Sequence, residues 1–185
     1  IAHLVRNCDM SARYIAAVTF TNKAAREMKE RVAQTLGKPE ARGLKVSTFH
    51  TLGLTIIKAH VKDLGLKPGF SLFDDKDSLS LLTDLTRETL DGDKDQLSLL
   101  QSCISNWKND LILPDALLKQ AQSTGEREFA EAYKRYQDNL KAYNALDFDD
   151  LLFNTNILFQ EHPDVLNKYQ QRFHYVMIDE FQDTN

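Results

Sequence analysis

The stretch from Ile15 to Phe20, IAAVTF, runs directly into TNKAAREMKERVAQTLG at residues 21–37. The first six residues are apolar or β-branched without alternation, which is typical of a strand buried on both faces of a parallel sheet. The next segment has apolar residues at helical spacing, and it can begin at a Thr21 or Asn22 cap and end at Gly37. A strand that leads at once into a helix predicts the first half of a β-α-β crossover.

Two further apolar runs extend this pattern. Residues 44–49 (LKVSTF) predict a second strand followed by a helix, and residues 174–178 (HYVMI) predict a third buried strand. Strands that alternate with helices pair in parallel through right-handed crossovers. We therefore predict an α/β fold with one parallel sheet, formed by residues 1–55 together with residues 150–185.

The middle of the chain, residues 56–149, has a helical pattern and predicts an all-helical insertion in the α/β unit. The pattern breaks at Asp91-Gly92, Pro114 and Gly125. Aromatic and apolar side chains recur every three or four residues near its end, which indicates a packing face rather than a stacking platform. These side chains are Phe129, Tyr133, Tyr136, Leu140 and Tyr143.

The composition is that of a globular protein, with 42% hydrophobic and 27% charged residues among 185. No apolar run reaches the ~18–20 residues that span a bilayer, and the first residues lack the pattern of a secretory signal. We expect no membrane partner and a cytoplasmic location. Cys8 and Cys103 lie far apart without partners at metal-binding spacing, which predicts two reduced thiols.

The net charge of −4 is distributed unevenly along the chain. Residues 1–62 hold 11 Lys and Arg against 4 Asp and Glu, a balance of +7, whereas residues 63–160 have a balance of −8. A basic third on an acidic chain can form a local surface that faces phosphates. Most surface lysines are simply solvated, so the uneven charge alone does not show that this surface binds phosphates.

The third predicted strand delivers two adjacent acids, Asp179 and Glu180, into a loop. This is the Walker B arrangement, in which the first acid holds Mg²⁺ through water and the second orients and deprotonates the attacking water. Both carboxylates must then project from one rigid strand end. The alternative is that the two acids mark only a solvated loop entry.

A Walker B pair needs a phosphate-binding loop, and the chain contains no G-x-x-x-x-G-K-[ST] sequence. Either the Walker B interpretation is wrong or the phosphate loop lies outside this chain. The first residues, IAHLVRN, favour the second option because they resemble the last turns of a helix, and a phosphate loop leads directly into a helix.

Each of the first two strands ends in a Thr-Phe pair, Thr19-Phe20 and Thr48-Phe49, followed by a polar residue that opens a helix. Free N–H groups at helix N-termini suit a phosphodiester backbone, and a neighbouring aromatic ring can take a base face. The alternative is helix capping beside a buried Phe. Because ligands gather at the carboxyl ends of parallel strands, we expect both pairs to lie beside the acids at one edge of the sheet.

Four stretches, in this order and spacing, resemble superfamily 1A DNA helicases of the UvrD/Rep/PcrA group. They are TFTNKAAREM at residues 19–28, TFH at 48–50, LDFDDL at 146–151 and DEFQDTN at 179–185. The stretches FSLFDD and ISNWKNDL resemble the Rep branch of that group. The resemblance covers the whole chain and implies an N-terminal part of an ATP-dependent 3′-to-5′ single-stranded DNA translocase and helicase of replication and repair.

The resemblance implies a partial RecA-like sheet of the P-loop NTPase type, subdomain 1A, interrupted by a helical subdomain 1B near the duplex. It implies ATP and Mg²⁺ as cofactors, with Asp179 as metal ligand, Glu180 as catalytic base and Gln182 sensing the nucleotide. Contacts to single-stranded DNA would come from Phe20, Thr21, Asn22, Thr48, Phe49 and His50. Asp149 and Asp150 would be structural.

The resemblance also implies further partners, namely forked or partial-duplex DNA and proteins of the replisome or of repair. The Walker A lysine, the arginine fingers and the second motor domain of the family have no counterpart in this sequence. We therefore expect the chain alone to be inactive. Two alternatives stay open, a Mg²⁺-dependent nuclease that uses Asp179 and Glu180, and a non-catalytic module that binds DNA or a partner protein.

Overall fold

The computed structural model describes residues 1–90 and 93–183, without the side chain of Asp183. The predicted break at Asp91-Gly92 lies outside the described residues. The strands are β1 (Ile15–Thr19), β2 (Lys45–Thr48), β3 (Ser71–Leu72), β4 (Ala145–Leu146) and β5 (Tyr175–Ile178). The helices are α1 (Ala2–Asn7), α2 (Asn22–Leu36), α3 (Phe49–Ala59), α4 (Asp75–Leu85), α5 (Arg87–Leu90), α6 (Lys94–Asn109), α7 (Pro114–Gln120), α8 (Thr124–Ala142), α9 (Phe148–Glu161) and α10 (Pro163–Arg172).

The chain divides into two compact units. The first unit contains Ile1–Thr55 and the residues from Leu158 onward, and the second contains Ile56–Ile157. Within the described ranges, no helix combines the length and the apolar character that crossing a membrane requires.

The first unit is organised around a three-stranded parallel sheet in the order β2-β1-β5. All five residues of β1 are buried, which confirms the prediction of a strand covered on both faces. Helix α2 connects β1 to β2, and its ends have the predicted caps. The Thr21 hydroxyl accepts the N–H of Ala24 at 3.1 Å, and Gly37 ends the helix at φ +83°, a conformation that Gly adopts readily.

Strand β5 differs from its prediction. Its first two residues, Tyr175 and Val176, are 43% and 57% exposed, so the prediction of a buried strand is wrong for this chain. The physical reason is the strand order, because β5 has β1 as its single neighbour in the described sheet and leaves its other edge open. The apolar sequence of β5 shows that the strand is suited to a buried position. It does not show that other residues of this chain cover the strand.

The second unit packs helices around one core. The predicted aromatic face is confirmed for Tyr133, Tyr136 and Leu140, which are at most 1% exposed, whereas Tyr143 at the end of α8 is 61% exposed and the prediction is wrong there. The buried cluster is Leu81, Leu82, Leu90, Leu97, Leu100, Ile104, Ala132, Tyr133, Tyr136, Leu140 and Ala145. Helices α4, α6 and α8 start at side-chain caps, for example the Asp74 capping box of α4 and the Ser123 capping box of α8.

The prediction that the insertion is all-helical is wrong, because β3 and β4 form a two-stranded parallel sheet inside the second unit. Each strand has only two residues, which is too short for an alternating pattern to appear in the sequence. Asn144, at φ +51°, leads into β4 and binds Lys67 twice. Its Oδ1 accepts the Lys67 N–H at 2.8 Å, and its Nδ2 donates to the Lys67 carbonyl at 3.2 Å. We call this pairing, with β3 and β4, the neck of the second unit.

A buried charge cluster lies in the second unit. Lys108 of α6 is 1% exposed, and its ammonium lies 2.5 Å from Asp147 Oδ2 and 2.8 Å from Asp150 Oδ1. The Tyr136 hydroxyl donates to Asp147 Oδ2 at 2.9 Å, and Gln137 Nε2 donates to Asp150 Oδ1 at 3.1 Å. Asp147 and Asp150 also accept each other's backbone N–H groups and thereby cap the start of α9. This geometry agrees with the structural role expected for Asp150.

The cluster holds two carboxylates against one ammonium. Burial acts to lower the pKa of Lys108, but the charges of Asp150 and Asp147 outweigh it and raise that pKa above its ordinary value. Burial raises the pKa of the Asp150 carboxyl, and the Lys108 charge opposes only part of that effect. Lys108 is therefore the charge that allows the two acids to be buried.

The second unit should lose stability as pH rises above about 10, the ordinary pKa of tyrosine. Burial, and then the charges of Asp150 and Asp147, raise the pKa of Tyr133, and burial followed by the Asp147 charge raises the pKa of Tyr136. The folded chain keeps these protons while the unfolded chain releases them, so the free energy of unfolding falls with rising pH. Denaturant unfolding between pH 7 and pH 11 measures the fall. It should be smaller in Tyr136→Phe, and an equal fall in that variant would contradict the assignment.

Candidate functional site

The carboxyl ends of three strands meet at one edge of the first unit's sheet, which we call the rim. Thr19 pairs with Thr48 across β1 and β2, and Val18 pairs with Ile178 across β1 and β5. The Asp179 N–H then donates to the Val18 carbonyl at 3.0 Å and extends the ladder by one residue. The predicted convergence of the two Thr-Phe pairs and the acid pair at one edge is confirmed.

Two aromatic rings lie together at the rim. Phe20 and Phe49 have ring centroids 5.5 Å apart and planes tilted by 57°, a favourable arrangement for an aromatic pair. Phe20 is 42% exposed although it follows a fully buried strand. An exposed ring that is braced by a second ring can present a flat apolar face to a ligand.

The polar residues of the rim open two helices. Thr21 caps α2, and the Thr48 hydroxyl accepts the Thr51 N–H at 3.2 Å in the first turn of α3. Thr48 is 6% exposed, whereas Thr21 and Asn22 are exposed and His50 is half-buried. Capping therefore accounts for Thr21 and Thr48 structurally. It also directs the positive ends of the dipoles of α2 and α3 to the rim, where they favour an anion.

The acid pair lies in a tight turn at the end of β5. Asp179 and Glu180 are both exposed, and Glu180 has φ +54°. A 3₁₀ turn, Phe181–Asp183, follows directly, and Gln182 Nε2 donates to Glu180 Oε2 at 2.5 Å. Asp179 also lines a cleft of about 370 Å³ beside α1 and α2. Its other lining residues are Ile1, Ala2, Ala24, Glu27, Met28, Arg31, Val32 and Thr35.

The donor set at the rim fits a magnesium–nucleotide complex. Carboxylate oxygens are hard ligands of the kind that Mg²⁺ prefers. Among the described residues, no group of three or more His, Cys, Asp or Glu side chains could hold a metal by itself. Mg²⁺ is commonly held by one or two carboxylates together with waters and substrate phosphates, and a pair of acids suffices for that.

Most of the basic part of the chain, residues 1–55, lies in the same unit as the rim. Helix α2, which starts there, exposes Lys23, Arg26, Lys29 and Arg31. Lys23 forms one long ion pair with Glu27, at 4.0 Å. A phosphate-rich ligand at the rim would meet positive charge on the same element.

Two features of the molecule were not found from the sequence. The hydrogen bond from Gln182 to Glu180 depends on a left-handed turn that no residue-type pattern marks, since Glu is not a residue that favours φ > 0. The Lys108 cluster joins residues 39 positions apart. The sequence signal for this cluster is Lys108 itself, a lysine on the face of α6 whose other buried residues are apolar. The side chain of Asp183 and residues Thr184 and Asn185 of the DEFQDTN stretch lie outside the described structure.

Comparison with known proteins identifies the family of the chain. The family model described as UvrD/REP helicase N-terminal domain matches residues 1–185, and the chain belongs to that family. The chain is 55% identical over 185 residues to the ATP-dependent DNA helicase Rep of Escherichia coli K12, covering all of this chain and 28% of that protein.

Other relatives give the same result. The ATP-dependent DNA helicase Rep of Salmonella typhimurium is 54% identical over 185 residues, all of this chain and 27% of that protein. The ATP-dependent DNA helicase PcrA of Leuconostoc citreum is 41% identical over 186 residues, all of this chain and 25% of that protein. The chain thus spans about a quarter of the length of these relatives.

Proposed function

We propose that the chain forms part of the motor of an ATP-dependent DNA helicase that moves 3′-to-5′ on single-stranded DNA in replication and repair. The observation that carries the proposal is the rim, where an aromatic pair, two helix N-termini and two adjacent acids meet at the carboxyl edge of one parallel sheet. The family match does not favour a nuclease or a non-catalytic module.

The two units take separate roles in this proposal. The first unit is the RecA-like subdomain 1A, and the second is the inserted subdomain 1B, which lies near the DNA duplex. Helix α9 crosses the division between the two units at residues 157 and 158, and the expected start of 1A at residue 150 stays a prediction. The open edge of β5, with exposed Tyr175 and Val176, supports a larger sheet in the whole protein, because an apolar strand edge in water invites a further strand.

The acids at the rim act on the nucleotide. Mg²⁺–ATP would supply the phosphoryl group that is transferred to water and a cation that neutralises its oxygens. Asp179 would hold the metal through water, and Glu180 would orient the attacking water and accept its proton. No phosphate-loop sequence occurs in the chain, so we expect negligible ATP turnover from these 185 residues alone.

The aromatic pair and the helix N-termini act on DNA. Phe20 stacks on a base, and Phe49 supports the Phe20 ring. The N–H groups at the start of α2, next to Thr21 and Asn22, face the phosphodiester backbone. His50 faces the DNA strand where it passes the end of β2, and buried Thr48 caps the helix that carries His50. Forked or partial-duplex DNA would supply the single strand that binds these residues, which we call the DNA track.

Phe20→Ala in the whole protein should weaken binding of single-stranded DNA by about 5- to 150-fold, because base–aromatic stacking contributes ~1–3 kcal/mol per base. The measurement is fluorescence anisotropy with a labelled oligonucleotide at several salt concentrations. The salt dependence should be retained, because it reports phosphate contacts rather than stacking.

The matched control for this prediction is Tyr143→Ala, which removes an aromatic side chain that is 61% exposed in the second unit. It should leave the affinity for single-stranded DNA unchanged. Equal affinities for Phe20→Ala and the parent protein would contradict the proposed DNA track.

A further inference from the structure

The chain reverses direction at Glu180. Asp179 still belongs to the ladder of the sheet through its hydrogen bond to Val18. Glu180 then adopts φ +54°, which residues other than Gly, Asn and Asp rarely adopt. The 3₁₀ turn Phe181–Asp183 begins at the next residue. Left-handed conformations in non-glycine residues concentrate at functional sites, where the surrounding structure holds them.

This reversal brings the Gln182 side chain back onto Glu180. The amide Nε2 donates to Glu180 Oε2 at 2.5 Å, and a hydrogen bond to a carboxylate is stronger than one between neutral groups. Both side chains are exposed, so packing contributes little to their orientation. The amide takes one acceptor position of Oε2, so Oε1 is the oxygen with more acceptor capacity left for a water molecule.

We propose that Gln182 is a positioning residue for Glu180, holding its carboxylate in one orientation so that the second oxygen faces the attacking water. The inference rests on the proposed function, in which Glu180 accepts the proton of that water. It differs from the nucleotide-sensing role that the resemblance implies. A sensor contacts the nucleotide, whereas a positioning residue acts through Glu180.

The two roles of Gln182 predict different kinetics. If Gln182 is a sensor, removing its amide weakens nucleotide binding and raises KM for ATP. If Gln182 is a positioning residue, removing its amide leaves nucleotide binding intact and lowers kcat, because Glu180 is oriented correctly in a smaller fraction of complexes.

The test uses the whole protein with Gln182→Met, which keeps the length of the side chain and removes the N–H donor. We expect kcat to fall about tenfold, a part of the ~10²–10⁴-fold that a general base contributes. KM for ATP should stay within about twofold of the parent value. The dissociation constant of a non-hydrolysable ATP analogue with Mg²⁺, measured without turnover, should also stay unchanged. The matched control is Gln171→Met, since Gln171 is an exposed glutamine on α10 that donates to Asn167 at 3.3 Å, and it should change none of these values.

A double variant separates this inference from the proposed function. If Gln182 acts through Glu180, Gln182→Met should lower kcat no further once Glu180→Gln is present. An unchanged kcat in Gln182→Met, or weaker analogue binding that accounts for the loss, would overturn the positioning role while leaving the proposed function intact. Parent-like turnover in Glu180→Gln would instead overturn the proposed function and the inference with it.

Discussion

Replacing Glu180 with glutamine in the whole protein should lower the rate of DNA-stimulated ATP hydrolysis at least a hundredfold. Glutamine has nearly the same size and shape, but its amide cannot accept the proton that the carboxylate accepts. General-base catalysis contributes ~10²–10⁴-fold, so its removal sets the size of the expected loss. The measurement is steady-state ATP turnover with saturating single-stranded DNA.

The control for this prediction is the same chemical change at a distance from the rim. Glu128→Gln alters an exposed residue of α8 in the second unit and should leave turnover at the parent rate. Nucleotide affinity should be retained in Glu180→Gln, which separates loss of the base from loss of binding. Turnover within fivefold of the parent would rule out Glu180 as the base.

Lys108→Met should lower the free energy of unfolding by about 3–5 kcal/mol, the range observed when one partner of a buried ion pair is removed. The variant leaves Asp147 and Asp150 buried without their counter-charge. Chemical denaturation followed by circular dichroism measures the change. Adding Asp147→Asn and Asp150→Asn to Lys108→Met should recover part of the loss, because the neutral amides carry no uncompensated charge.

Lys134 supplies a matched control for Lys108. It also forms ion pairs with two carboxylates, Asp115 at 3.4 Å and Asp138 at 3.6 Å, but its side chain is 44% exposed. Water and salt screen these pairs, so Lys134→Met should leave the unfolding midpoint almost unchanged. Equal destabilisation by Lys108→Met and Lys134→Met would show that burial of the Lys108 cluster has little energetic importance.

The parallel sheet and its rim could be predicted from the sequence because local signals agreed with one another. The apolar run ending at Phe20 has no alternation, and the helix after it has a Thr21 cap and a Gly37 stop. Parallel strands place their carboxyl ends at one edge, so the convergence of Phe20, Phe49 and Asp179 followed from strand direction alone.

The features that were missed depend on contacts between distant residues or on very short elements. Tyr175 and Val176 look like core residues because composition does not record the position of a strand in a sheet. The β3–β4 pair is two residues long on each side. The pairing of Lys108 with Asp147 and Asp150 spans separate helices and has no local pattern. In each case the deciding information is the spatial neighbour.

The neck joins Lys67 and Asn144, which are 77 positions apart in the chain. The two ends of the segment between them therefore lie side by side, next to the parallel pair of β3 and β4. Three side chains within the segment, Lys108, Tyr136 and Gln137, also bind Asp147 and Asp150 beyond it, so a replacement for the segment must not leave those two acids buried without partners. With that condition met, the neck is a suitable place to insert a reporter or a new binding domain.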